Sequence, residues 1–203
     1  MIEFTPLEVH NPARYSCGGP PDTPRPMTLF LRENHPDPMI GVEVGVLEGA
    51  HAVSMLSLLN ISKFYLVDPY LPYGDLTDLI LEKARIKAIR YTREWDDIVE
   101  WVYHTSKDAA NIVPNELDFV YIDGPHSYSN TYFDINAWYP KVKCGGYIGG
   151  HNYGNTKGAV PTVEAVHEFM ENIGIEVPGW DYYNKWACTH LPPHCDWWVR
   201  KPE

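Results

Sequence analysis

Four short apolar runs, each closing on an acid or a glycine, constrain this chain most strongly. They are Met39-Ile-Gly-Val-Glu-Val-Gly45, Phe64-Tyr-Leu-Val-Asp68, Leu117-Asp-Phe-Val-Tyr-Ile-Asp123 and Gly145-Gly-Tyr-Ile-Gly-Gly150. Between them the apolar spacing changes to that of helices. Ala52, Leu56 and Leu59 recur at i, i+4 and i+7, and Tyr128, Tyr132, Ile135 and Tyr139 do the same further on. Asp78–Arg93, Ser106–Val113 and Pro161–Asn172 read as further helices, and Ile98–Thr105 as a strand. Near-continuous apolar strands alternating with helices specify a parallel sheet buried on both faces. The expected fold is therefore α/β and doubly wound. The tail from Ile175 to Val199, broken by Pro192-Pro193, is expected to add an antiparallel last strand.

The first 38 residues are different. Eight of the 18 prolines fall before residue 39, and proline removes backbone donors and breaks helix interiors. Residues 1–38 read as an arm or lid with at most one short helix, near Met27–Arg32, and residues 39–203 as the folded domain. A long irregular segment in a small protein is usually a lid or an interface. The arm is accordingly expected across the cleft mouth or across a second copy in a homodimer.

Charge narrows the partners. The chain carries 16 Lys and Arg against 27 Asp and Glu, a formal charge of −11, which repels phosphate backbones and anionic lipid. Neither a nucleic-acid nor a membrane partner is expected. The N-terminus lacks the apolar core of a signal peptide, and the longest uncharged apolar stretch, Ala52–Ser62, is too short to span a bilayer. Four cysteines suggest no disulfide framework, so a cytoplasmic location is the default. The Cys188-Thr-His190-Leu-Pro-Pro-His194-Cys195 segment has zinc-ligand residue types but no Cys-x-x-Cys, and reads as a hairpin loop. Trp180, Tyr182, Tyr183, Trp186, Trp197 and Trp198 read mostly as core and edge-strand aromatics.

In doubly wound sheets, ligands sit at the carboxyl ends of the strands. Asp68 lies roughly twenty residues beyond Gly45, the spacing at which an acid accepts hydrogen bonds from an adenosine ribose. The alternative is that Asp68 only holds the turn before Pro69. A dinucleotide would want a G-x-G-x-x-G turn, which is absent. The turn instead carries Glu43 and Glu48. Carboxylates repel a pyrophosphate and suit a sulfonium or an ammonium. S-adenosylmethionine supplies both cations, so a methyl donor is favoured over NAD.

Glu43-Val-Gly45-Val-Leu-Glu-Gly49 followed by Val67-Asp68-Pro-Tyr resembles the first two motifs of class I S-adenosylmethionine-dependent methyltransferases. Ile122-Asp123-Gly-Pro-His126-Ser-Tyr128 and Gly149-Gly-His151-Asn152-Tyr153 are similar to stretches of the macrolide-sugar O-methyltransferase subgroup. The resemblance runs from about Met39 to Met170 and implies a seven-stranded sheet. It implies a small-molecule acceptor methylated at a hydroxyl, with Glu43, Gly45, Asp68, Ser106 and Asp123 holding the donor. Relatives place an acid after the fourth strand and an acid pair after the fifth as metal ligands. Here Asp123, His151 and Asn152 take those positions, a set poorer in carboxylates, toward Mg²⁺ or another divalent cation. Without a metal, Asp123, His126 and His151 become the catalytic candidates. An imidazole titrates near neutrality, so either histidine suits a general base. A donor-binding protein without catalysis and an NAD(P)-dependent oxidoreductase are the alternative readings.

Overall fold

The computed structural model describes residues 24–154, 160–175 and 196–202. Its order is α1 (Pro26–Asn34), β1 (Met39–Val44), α2 (Ala50–Leu58), β2 (Ile61–Val67), α3 (Asp78–Thr92), β3 (Val99–Val102), α4 (Ser106–Ile112), β4 (Leu117–Ile122), α5 (Tyr128–Trp138), β5 (Val142–Gly150), α6 (Val160–Asn172) and β6 (Trp197–Arg200). The strands lie in the order β3-β2-β1-β4-β5-β6. All neighbours pair in parallel except β6, which runs antiparallel to β5 with Ile148 opposite Val199. Strand order reverses between β1 and β4, the position where such sheets open a crevice.

Period-two alternation divides the core into two layers. Val42, Val44, Val67, Val120 and Ile122 pack with Ala109 of α4, Ile135 and Trp138 of α5, and Val163 and Phe169 of α6. Phe64, Leu66, Phe119 and Tyr121 pack on the other face with Met27 and Leu31 of α1, Ala52 and Met55 of α2, and Ala88 of α3. Each large apolar side chain taken out of water contributes roughly 1.5–3 kcal/mol, so both helical layers are held firmly to the two faces of the sheet.

The expected doubly wound architecture is present. Six strands are seen among the described residues where seven were expected, and most of the tail, residues 176–195, lies outside them. So do residues 1–23, the greater part of the expected lid, and the Cys188–Cys195 loop. The short helix foreseen near Met27–Arg32 is α1, and it is part of the core: Met27 and Leu31 are fully buried. The spacing read over Tyr128–Tyr139 gives a helix, but its buried members are Thr131, Asp134, Ile135 and Trp138. Tyr128 and Tyr132 stack on each other outside. No helix among the described residues is long and apolar enough to cross a membrane.

Candidate active site

A cleft of about 410 Å³ opens at the carboxyl ends of the strands, lined on one side by Gly45, Asp68 and Leu71 and on the other by Ser106, Phe133 and Asp134. Gly45 turns the chain out of β1 at φ +90, and a Cβ there would lie 2.4 Å from the carbonyl oxygen of Asp123. Only glycine meets both demands. Asp68 fixes the same turn from β2: its Oδ2 accepts from the backbone N–H of Val46 at 3.0 Å and of Leu47 at 2.9 Å. Its Oδ1 accepts from Tyr70 N–H at 2.8 Å. The carboxylate thus faces the cleft while tying two loops together.

Ser106 begins α4, whose first turn is capped by Thr105. Its hydroxyl accepts from the indole of Trp138 at 2.9 Å and bonds the carboxyl of Asp134. Burial pushes Asp134 up to about 6, and the Ser106 hydrogen bond opposes that rise. Sequence reading passed over Asp134 as a site residue.

Glu43 does not line the cleft. It is 1% exposed and meets His51 Nδ1 at 3.0 Å, while Thr28 Oγ1 meets His51 Nε2 at 3.0 Å. Burial pushes the Glu43 carboxyl well up, with Asp123 and Asp68 adding to it against Arg25. Burial pushes His51 well down, helped by Arg25 and His151. Both groups are therefore driven to their uncharged forms, and Glu43 Oε2 has no hydrogen-bond partner. Glu48 points outward onto Lys87. The negative lining inferred for this turn is thus one buried acid and one paired surface acid.

Beyond Gly45, a second polar group assembles at the ends of β4 and β5. Arg25 Nη1 donates to Asp123 Oδ2 at 2.7 Å and to Tyr121 Oη at 2.9 Å. Tyr121 in turn donates to Asp196 Oδ1 at 2.9 Å, and Asp196 Oδ2 accepts from Met27 N–H at 3.1 Å. Burial alone would lower Arg25, but Tyr121, Asp123 and Asp196 outweigh it and keep the guanidinium charged. His151 is buried, with Nδ1 3.5 Å from Asp196 Oδ1. His126, with a side chain 39% exposed, has Nε2 3.8 Å from Asp123 Oδ1. The two imidazole rings are 5.9 Å apart. Asn152 follows in a left-handed backbone turn, φ +66.

Asp123, His126 and His151 thus lie near one another at the ends of β4 and β5, but none of the three is among the residues that line the cleft beside Asp68 and Ser106. The divalent cation expected on Asp123, His151 and Asn152 is not supported. No group of three or more His, Cys, Asp or Glu side chains with metal-binding geometry occurs among the described residues. The donor set also argues against one: an oxygen of Asp123 already holds a guanidinium, and His151 leans toward Asp196. Sequence reading missed Arg25, Tyr121 and Asp196. Arg25 lay in a segment set aside for its prolines, and Asp196 lay among tail aromatics.

The methyltransferase domain family matches residues 42–153, more than half of the chain. The chain belongs to the class I S-adenosylmethionine-dependent methyltransferases. An uncharacterised protein, R132, of Acanthamoeba polyphaga mimivirus is 26% identical over 138 residues, covering 68% of this chain and 62% of that protein. This chain therefore spans under two thirds of that relative. Among solved structures, the N-methyltransferase NodS from Bradyrhizobium japonicum WM9 superposes with a TM-score of 0.61 at 15% identity, covering 87% of this chain and 93% of its own. The O-methyltransferase NovP gives 0.58 at 17%, covering 87% and 76%. Likenesses this distant speak to the fold alone, and the two neighbours differ in the atom they methylate.

Proposed function

We propose that this protein transfers the methyl group of S-adenosylmethionine to a hydroxyl oxygen of a small molecule. The carrying observation is that one glycine turn, at Gly45, joins two unlike regions. On one side is a cleft with an acid at the ribose spacing. On the other, two imidazoles and Asp123 gather at the strand ends. In this reading Gly45, Asp68, Ser106 and Asp134 contact the donor, with Glu43 supporting the turn from within. Asp123 borders both ligands.

Methyl transfer is an in-line displacement. An oxygen lone pair of the acceptor forms the new bond to carbon, the carbon–sulfur bond breaks, and its electron pair goes to sulfur as S-adenosylhomocysteine forms. The hydroxyl proton passes to His151, held toward Asp196, with His126 beside Asp123 at the exposed rim. Alignment of the reactants supplies most of the rate and the base the remainder. The overall charge of −11 favours a small-molecule acceptor over a nucleic acid. The test is a panel of phenols, sugars and amines incubated with methyl-labelled donor. Label in hydroxyl acceptors, lost in His151→Ala, supports the reading. Label in amines alone, or in RNA, contradicts it.

A further inference from the structure

We propose that Arg25 is the resident cation of the acceptor site: its guanidinium holds the place on Asp123 that a divalent ion would need, and its remaining N–H groups bind the acceptor oxygen as it gains negative charge. The proposal rests on the methyltransferase reading above.

Arg25 directly precedes α1, and Met27 and Leu31 anchor that helix in the core. The Met27 N–H bond to Asp196 fixes the first turn further. The guanidinium carbon lies 5.5 Å from the centre of the Tyr121 ring, and Nη1 bridges the Tyr121 hydroxyl and Asp123. Only that nitrogen is used: Nη2 and Nε have no protein partner among the described residues. The side chain is 27% exposed, so it is not sealed in the core. A planar guanidinium with donors to spare is the group best suited to an oxyanion, and it does not give up its proton.

The surroundings define its task. Asp123 and Asp196 flank the site with negative charge, so an acceptor losing its proton would meet repulsion without a cation nearby. A divalent ion meets that need in some enzymes; here a positive charge is already held in place. During transfer the hydroxyl proton goes to His151, the oxygen–carbon bond forms and the carbon–sulfur bond breaks toward sulfur. Arg25 makes and breaks no covalent bond. It stabilises charge through donors fixed before the reaction.

Two probes test this on the full chain loaded with S-adenosylhomocysteine. Mn²⁺ is titrated by electron paramagnetic resonance into wild type, Arg25→Met and the double variant Arg25→Met with Asp123→Asn. Methionine keeps an apolar stem on Tyr121 and removes the charge. The Met variant should bind Mn²⁺ about tenfold more tightly than wild type, because a carboxylate is freed, and the double variant should lose that gain. 4-Nitrophenol, which ionises near neutral pH, is then followed by absorbance: wild type should shift it toward phenolate and Arg25→Met should not. Equal Mn²⁺ affinities in wild type and Arg25→Met, or identical 4-nitrophenol spectra, overturn the proposal. If Arg25→Met fails to fold, Arg25→Gln decides, since it also removes the charge: a 4-nitrophenol shift unchanged in that variant overturns the proposal too. Failure of all these proteins to bind S-adenosylhomocysteine sinks the methyltransferase reading instead, and the Mn²⁺ arm is read on unloaded protein.

Discussion

The cleft and the polar group beyond Gly45 are built in opposite ways. The cleft is local: Asp68 reaches back to Val46 and Leu47, in the loop of the adjacent strand, and Ser106 opens the helix after β3. The polar group beyond Gly45 draws Arg25, Tyr121, Asp123, His151 and Asp196 from four widely separated parts of the chain. A region made by loops between neighbouring strands is a property of the fold. A region made by long-range convergence is a property of this particular sequence. Under the proposed function the cleft is the donor half and the polar group the acceptor half. The donor half should therefore tolerate changes beyond Gly45, and chemistry should fail without loss of donor binding when the acceptor half is altered.

The largest expected effect is on the acceptor side. His151→Ala should slow methyl transfer by about 10² to 10⁴ while S-adenosylhomocysteine affinity stays within about twofold by calorimetry. Loss of donor affinity on the same scale would show that the halves are not separate. Asp68→Ala acts on the other half. It removes the acceptor of three backbone N–H bonds, each bond to a charged group contributing about 1.5 kcal/mol or more. The thermal midpoint should fall, and donor affinity should drop roughly a hundredfold.

Asp134 gives a smaller effect with a definite pH window. Its carboxyl is raised from 3.8 to about 6 in the folded protein, so the folded state holds more protons than the unfolded chain between those values. Stability falls as pH rises through the window, and the loss is complete above about pH 6. Asp134→Asn should abolish that slope and stabilise the protein at pH 7 by up to about 3 kcal/mol. Equilibrium denaturation at pH 4 and pH 7 checks this, and a stability gap that persists in the variant would refute it. Smallest of all is Glu48→Gln. The Glu48–Lys87 pair sits on the surface, where such pairs contribute little, so neither thermal midpoint nor donor affinity should change measurably. A clear loss of donor binding would restore Glu48 to the cleft.

The same contrast explains what could be read from sequence. Gly45 and Asp68 were legible because a positive-φ turn and an acid at the next strand end are local demands, expressed at a fixed spacing. Asp123, His126 and His151 were legible because each follows a recognisable strand. The buried state of Glu43 was not, since nothing in its own strand says that His51 seals it from below. Arg25 was hidden for a related reason. Prolines in the arm argued against a core element, yet Pro26 sits in the first turn of α1, where a missing N–H costs nothing. The metal expectation came from strand-end positions and from the resemblance to relatives with an acid pair there, and neither reveals a guanidinium supplied to Asp123 from about a hundred residues earlier.

Donor binding in the cleft between Gly45, Asp68 and Ser106 underlies the proposed function. Titrating S-adenosylhomocysteine into the wild-type protein in a calorimeter, with NAD as the control, tests it most directly. One site per chain is expected, weakened by Asp68→Ala and unaffected by His151→Ala, with no heat from NAD. No binding at millimolar S-adenosylhomocysteine, or binding that survives Asp68→Ala undiminished, would contradict it.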